Sequence, residues 1–339
     1  MVALAGILGD APLLENFLRV VLTQEFDGTE SQVLAETSPL LGPKRAEKLL
    51  KTLIHERMDF APEGCVMLLR HLIELPRESA TEQKAWLETA RGMANGIIDA
   101  LRANHEASVR GELRHGRLSS KRKRMTEGTL ANLLECLTKL KSNQIRGAAT
   151  TAIVSDSTTF DARRTIVPAL RELVERGIAI IGDKEGERLW IHAAEVLLES
   201  AGQVPEPPQD WRQLLHTDCK CTDCKELETF ARDPVAQIHR FRVRKDRRRH
   251  LHAQINRYEL DMNHTTERIG SPQTLICEKT RRSYERKFAV YREEIVALGV
   301  LKDLAGSQRR VLVELIRRIG VALQRAAEPS KMQGTQESE

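Results

Sequence analysis

Three cysteines lie close together in the segment His-Thr-Asp-Cys-Lys-Cys-Thr-Asp-Cys, which begins at His216. Cys221 and Cys224 have the C-x-x-C spacing that lets two thiolates approach one metal ion from a tight turn, and Cys219 is near enough to supply a third. Burial explains the cluster poorly because charged residues stand between the cysteines, and disulfide pairing would leave one thiol over. The spacing predicts a structural zinc site, with redox chemistry or no metal as the alternatives.

A tetrahedral zinc site needs a fourth ligand, and the sequence offers His216, His250, His252 and Cys277. The two central histidines fall in a segment predicted to be helical, Arg247–Glu259. Residues two apart on a helix point about 200° away from each other, so only one of these histidines can face the metal. We select His250, with His252 as the second choice. A closed site with four protein ligands is structural, and it contributes on the order of 10 kcal/mol to folding.

A strongly basic segment follows the cysteines, from His239 to Arg257. It holds eight Lys and Arg residues and one acid, a net charge of +7, whereas the whole chain carries +5. Arginine-rich surfaces bind phosphates through charge-assisted contacts, so we predict a nucleic-acid or acidic protein partner. The alternative is that these side chains pair with the acidic remainder of the chain. The predicted contact residues are Arg240, Arg242, Arg244, Lys245, Arg248 and Arg249.

The elements that must position these residues can be predicted from the pattern around them. We expect a short helix at Lys225–Arg232, a strand at Ile238–Val243, the basic helix, a second strand near Thr274–Lys279, and a helix at Tyr284–Leu298 with its apolar residues on one face. The metal module is therefore predicted to be a small α+β domain.

The chain before the cysteines is predicted to be mainly helical, since apolar residues recur at helical spacing and aromatic residues make up only 4% of the chain. The predicted helices begin at Pro43, near Pro62 and near Glu82, and further ones lie at Leu130–Leu140, Thr165–Arg176 and Trp190–Ser200. A short strand is predicted at Ile178–Ile181. In general character the helices resemble a HEAT or armadillo stack, although no internal repeat has a fixed period.

These patterns divide the chain into a helical domain, two linkers, a metal module and a C-terminal part. The predicted boundaries are 1–114 for the first part of the helical domain, 115–126 for a basic linker, 127–203 for the second part, 204–211 for a Pro-rich linker, 212–304 for the basic zinc-binding α+β module, 305–327 for a C-terminal helix and 328–339 for a disordered tail.

Composition and cysteine use point to a folded protein inside the cell. The apolar start Val2–Leu8 lacks a basic region and is cut short by Asp10, which is typical neither of a signal peptide nor of a membrane span. The cysteines are not spread out as in disulfide-framed secreted proteins. We expect a reducing compartment, cytoplasm or nucleus, and no membrane partner. The run Lys121–Arg124 is a candidate nuclear localisation signal, a phosphate-contacting patch or a solvated loop.

Several motifs together suggest a family. They are Leu189-Trp190, Leu197-Leu198, Pro205-Glu206-Pro207-Pro208-Gln209-Asp210-Trp211, the Cys-x-Cys-x-x-Cys cluster, Arg240-Phe241, Arg248-x-His250-Leu251-His252, Thr265-Thr266-Glu267-Arg268-x-Gly270-Ser271-Pro272-x-Thr274-Leu275, Lys279-Thr280 and, in the N-terminal helices, Phe26-Asp27-Gly28. With them, residues 13–300 resemble the C-terminal region of large, mostly fungal proteins that begin with a prolyl-4-hydroxylase-like 2-oxoglutarate/Fe(II) oxygenase domain. The resemblance implies association with an oxygenase.

The resemblance does not imply the oxygenase activity itself. Such enzymes hold iron with a His-x-Asp pair and a distant His on a strand-rich jelly roll. Here His216-Thr217-Asp218 matches the His-x-Asp motif, but it lies beside the cysteine cluster, where few strands are predicted. The catalytic domain is therefore expected to be absent from this chain.

Two classes of function follow from the sequence. The first is a non-enzymatic zinc-binding interaction protein, a helical scaffold plus a basic module for a protein or nucleic-acid partner. The second is an accessory or regulatory region of a 2-oxoglutarate/Fe(II) oxygenase protein, or a zinc enzyme. No Gly-rich phosphate loop, nucleophile elbow or paired carboxylates occur in the sequence, which favours the first class.

Overall fold

The computed structural model describes residues 10–19, 26–110, 123–306 and 312–327. The predicted apolar start, most of the basic linker and the C-terminal tail lie outside these residues. The described chain is mainly helical, as the sequence predicts, and it contains one small three-stranded sheet. None of its described helices combines the length and the apolar content needed to cross a membrane.

The described residues divide into two compact units. One unit, called here the helical unit, contains the residues before Ala201 and those from Ile295 onward, and the other, the module, is Ala201–Glu294. The module thus begins and ends about ten residues earlier than the predicted range 212–304. The helix that the sequence places at Tyr284–Leu298 is longer, Arg282–Ala305, and it continues from the module into the helical unit.

The helices of the helical unit are α1 (Ala11–Phe17), α2 (Ser31–Thr37), α3 (Pro43–Arg57), α4 (Pro62–Glu74), α5 (Ala80–Val109), α6 (Glu127–Lys139), α7 (Asn143–Ser155), α8 (Val167–Glu175) and α9 (Lys184–Ser200). A 3-10 turn at Ser38–Leu41 precedes α3, and a π-helical turn at Ala162–Ile166 precedes α8. Pro43 and Pro62 occupy first turns, where the missing N–H has no partner to lose.

These helices pack in two alternating layers. Helices α2, α4, α6 and α8 follow one another in one layer, and α3, α5, α7 and α9 follow one another in the second. Their predicted apolar stripes form the core, in which Leu53, Leu68 and Leu133 are almost fully buried. Trp190 on α9 is completely buried and donates its indole N–H to the carbonyl of Leu301, at 2.9 Å.

The strand predicted at Ile178–Ile181 is wrong, because this segment pairs with no other strand among the described residues. Helix α8 instead ends in a Schellman motif. Gly177 has a φ of 81°, its N–H binds the carbonyl of Val174, and the N–H of Ile178 binds that of Leu173. The apolar residues that suggested a strand serve packing, since Ile180 is 3% exposed.

The elements of the module are α10 (Thr222–Arg232), β1 (Ile238–Arg242), α11 (Lys245–Arg257), β2 (Met262–Glu267), β3 (Thr274–Lys279) and the first part of α12 (Arg282–Ala305). The C-terminal helix of the chain is α13 (Val313–Ala327). Strand β3 is central and antiparallel to both neighbours, in the order β1-β3-β2. In its register, Ile276 is opposite Arg240 on β1 and Thr265 on β2.

A small apolar core lies between the inner face of this sheet and helices α10 and α11. Its largest buried members include Phe230, Phe241, Leu251 and Leu275. The other face of β1 carries exposed residues at alternate positions, among them Arg240 and Arg242. A sheet with one covered and one open face is common in antiparallel structures.

Candidate metal centre

The cysteine cluster lies at the start of α10. Cys219 and Cys221 are in the loop before this helix, and Cys224 is in its first turn. Cys221 is the N-cap residue, and its Sγ accepts a hydrogen bond from the N–H of Cys224 at 3.4 Å. A helix N-terminus favours negative charge, which suits a site whose ligands are thiolates.

Helix α11 brings His250 to the cysteines. Its Nε2 lies 3.1 Å from Sγ of Cys224 and 3.4 Å from Sγ of Cys219. The ligand atoms of Cys219, Cys221, Cys224 and His250 all lie within 4.8 Å of one another. An ion held tetrahedrally, with sulfur at about 2.3 Å and nitrogen at about 2.0 Å, keeps sulfur and nitrogen about 3.5 Å apart. The four side chains are therefore spaced to bind one metal ion together.

The acidities of two of these thiols differ because their surroundings differ. Hydrogen bonds, first from the backbone N–H of Cys221 and then from the neighbouring ligand side chains, lower the pKa of the Cys219 thiol to about 7. Burial raises the pKa of the Cys224 thiol, and the neighbouring thiols add to the effect. A thiolate is the form that binds a metal, so the Cys224 proton must leave when an ion enters.

The other three candidates for the fourth ligand point elsewhere. His252 contacts His264 on β2 through the two Nδ1 atoms, and its Nε2 lies 3.4 Å from Oγ1 of Thr266. His216 has a side chain 86% exposed, beside Glu228. Cys277 is fully buried in the module core on β3. The choice of His250 agrees with the geometry.

An ion pair that was not predicted from the sequence connects the cysteine turn to helix α11. Asp223, inside the C-x-x-C turn, is buried and accepts hydrogen bonds from Nε and Nη2 of Arg247 through both carboxylate oxygens. Because Arg247 lies one turn before His250 on α11, this pair joins the cysteine turn to the helix that carries the histidine. The signal in the sequence was a single acid between two ligands, followed by an arginine-rich helix.

His216 and Asp218 of the His-x-Asp motif contact different side chains in the described part of the chain. His216 faces Glu228, and Asp218 is also exposed, with its carboxylate 3.3 Å from the hydroxyl of Tyr258 and 3.4 Å from Arg257. Among the described residues, the three cysteines and His250 are the one group of three or more His, Cys, Asp or Glu side chains close enough to share an ion.

The predicted contact arginines divide into two sets. Arg248 is 7% exposed and donates hydrogen bonds to the Val243 carbonyl and to the carbonyl and side-chain oxygens of Gln273, at 2.6 to 3.1 Å. Its prediction as a partner contact is therefore wrong, since it fastens α11 to the loop before β3. Arg240 is exposed but pairs with Glu267 at 2.9 Å.

The remaining predicted contacts are exposed and, in the described chain, have neither an acidic partner nor a side-chain hydrogen bond. These residues, called here the basic stripe, are Arg242, Arg244, Lys245 and Arg249. They lie at the end of β1 and in the first turns of α11. Their charge is available to a partner.

Comparison of the chain with protein-family models, with curated proteins and with solved structures gave no match. The resemblance to the C-terminal region of oxygenase proteins stays a prediction, and the functional argument rests on the site itself.

Proposed function

We propose that the protein is a non-enzymatic interaction protein whose basic module is held together by a structural zinc ion. The observation that carries this proposal is the cluster of three thiols and one imidazole whose donor atoms all lie within 4.8 Å of one another. Tetrahedral sites of this composition are typical of zinc. With all four positions filled by protein, no position remains for a water or a substrate, so the ion acts on folding and not on chemistry.

The position of the site supports a folding role. The module buries few large side chains, and its core lies between α10, α11 and one face of a three-stranded sheet. The candidate ligands come from the loop before α10 and from α11, so an ion joins the two helices that cover the sheet. In small domains such an ion contributes on the order of 10 kcal/mol to folding.

We assign the helical unit the role of a scaffold for a protein partner. Its two alternating layers, in which each helix packs on the one two places along the chain, support the interpretation as an α-solenoid of HEAT or armadillo type. Solenoids of this kind offer extended binding surfaces.

Elemental analysis of the purified protein tests the proposal. We expect one zinc and no iron per chain, and loss of the zinc in Cys221→Ser. Cys277→Ala is the matched control, because it removes a thiol from the module core without touching the candidate site. One iron per chain would favour the association with an oxygenase instead. Zinc retained in Cys221→Ser would show that the metal is bound at a different site.

A further inference from the structure

Two arginines next to the basic stripe in sequence are paired with acids. Asp223 holds Arg247, and Glu267 holds Arg240. Between Arg240 and Arg249 the sequence contains only one further acid, Asp246. The stripe therefore keeps a concentrated positive charge at the surface, where it would attract a polyanion.

Two cations of the stripe, Lys245 and Arg249, share one face of α11. Lys245, Arg249 and Ala253 are four residues apart and exposed, so they lie above one another on the helix over about 12 Å. The opposite face buries Leu251 and Ile255 against the sheet. Ala253 is small, so a partner can approach the second half of this face closely.

The kind of polyanion follows from what the face lacks. Single-stranded nucleic acids are usually bound by aromatic side chains on which bases stack. The face carries none, because Phe241 points into the core and Tyr258 is half-buried beside Asp218. A helix face with small and basic residues fits the B-form major groove, about 12 Å wide, whereas the deep and narrow groove of A-form RNA excludes it.

We propose that the exposed face of α11 docks on duplex DNA, with the cations at the start of this helix, Arg244, Lys245 and Arg249, neutralising backbone phosphates. This inference rests on the proposed function, because the zinc site positions α11 on the sheet. Since most of the contact is electrostatic, binding depends on salt, with a slope of log affinity against log salt of about −0.9 per phosphate, or about −2.7 for three contacts.

The test measures binding of the full-length, zinc-loaded protein to a short mixed-sequence DNA duplex over a range of salt. We expect Lys245→Ala/Arg249→Ala to weaken binding about a hundredfold near 0.1 M salt and to reduce the slope by about two. The matched control is Lys44→Ala/Lys48→Ala, which removes an exposed i,i+4 pair of equal charge from α3 and should leave the affinity unchanged. Unchanged zinc content and circular dichroism verify folding of both variants.

Other outcomes would overturn the inference. One is that the protein does not bind the DNA duplex at low salt, and another is that both double variants lose the same affinity. A third is that single-stranded DNA, duplex RNA, polyglutamate or anionic vesicles bind as tightly as the DNA duplex or more tightly. Zinc content separates this failure from that of the proposed function. If the protein contains one zinc but does not bind DNA, the proposed structural zinc stands and the DNA inference fails. If DNA binding survives complete removal of zinc, the proposal of a zinc-dependent module is contradicted.

Discussion

At the scale of single residues, the direction of two histidine rings decides the composition of the metal site. His250 and His252 lie on the same helix, but one faces the thiols of Cys219 and Cys224 and the other faces His264 on β2. Helical geometry forces this separation, because side chains two residues apart diverge by about 200°. His252 can therefore serve as a control for substitutions of His250, because it is a histidine on the same helix that does not face the thiols.

We predict that His250→Asn lowers the affinity for zinc by more than about a hundredfold. Loss of a residue that only hydrogen-bonds to a metal ligand often lowers metal affinity about 10- to 100-fold, and loss of a ligand itself should cost more. His252→Asn removes an imidazole from the same helix and should change the affinity by less than about tenfold. Competition with a chromophoric chelator measures both values. Equal losses in the two variants would contradict the assignment of His250 as the fourth ligand.

The sequence predicted the residues of this site better than their surroundings. The cysteine spacing selects Cys219, Cys221 and Cys224, and the helical period shows that only one of His250 and His252 can face them, because both are local properties. The sequence alone left the fourth ligand open. The burial of Arg248 could not be predicted in the same way. It depends on Gln273, which lies 25 residues away in sequence and is brought near only by the fold.

At the scale of elements, most helices were predicted, although α7 was not, and strands were predicted less well. Helical periodicity is visible within one segment, whereas a strand exists only through pairing with another. Strand β2 was missed because Met262 is its only apolar residue, and the edge position tolerates the polar remainder. Ile178–Ile181 has the apolar content of a strand but no partner to pair with among the described residues.

A charge network joins α4, α6 and α8 on the helical unit. Glu135 on α6 lies 2.7 Å from Arg176, just after α8, and 2.9 Å from Lys139, which also contacts Glu74 on α4 at 2.8 Å. Burial alone would raise the pKa of Glu135, but the hydrogen bonds from Lys139 and Arg176 outweigh it and lower the pKa. The pKa of Glu135 is therefore lower in the folded state than in the unfolded state. Its carboxylate stabilises the folded state fully at pH values above the pKa of the unfolded state, and this stabilisation is lost as the pH falls through the pKa of the folded state.

We predict that Glu135→Gln destabilises the helical unit by about 1 kcal/mol at neutral pH and by less near pH 4. Urea unfolding followed by tryptophan fluorescence measures this in a Trp211→Phe background, which leaves Trp86 and Trp190 of the helical unit as reporters. The control is Glu175→Gln, which removes a carboxylate from an exposed pair with Arg171. A loss that stays constant with pH would show that the network acts through packing and not through charge.

At the scale of the whole molecule, the two units are stabilised in different ways. The helical unit has a large apolar core, with Trp86 and Trp190 almost completely buried. The module has a small core and, under the proposed function, depends on its metal. Removal of an ion that binds only the folded state shifts the equilibrium of the unit that holds it toward unfolding.

We therefore predict that chelation of zinc unfolds Ala201–Glu294 while the helical unit stays folded. Limited trypsin digestion followed by mass spectrometry measures this, because α11 carries consecutive arginines at Arg247, Arg248 and Arg249 that are protected in the folded helix. Cuts should appear there after chelation and disappear when zinc, but not magnesium, is restored, since magnesium prefers oxygen ligands. Far-ultraviolet circular dichroism should keep most of its helical signal, because most helical residues belong to the helical unit. Cleavage spread evenly over both units would show that the metal supports the whole chain, and an unchanged pattern would show that the module folds without it.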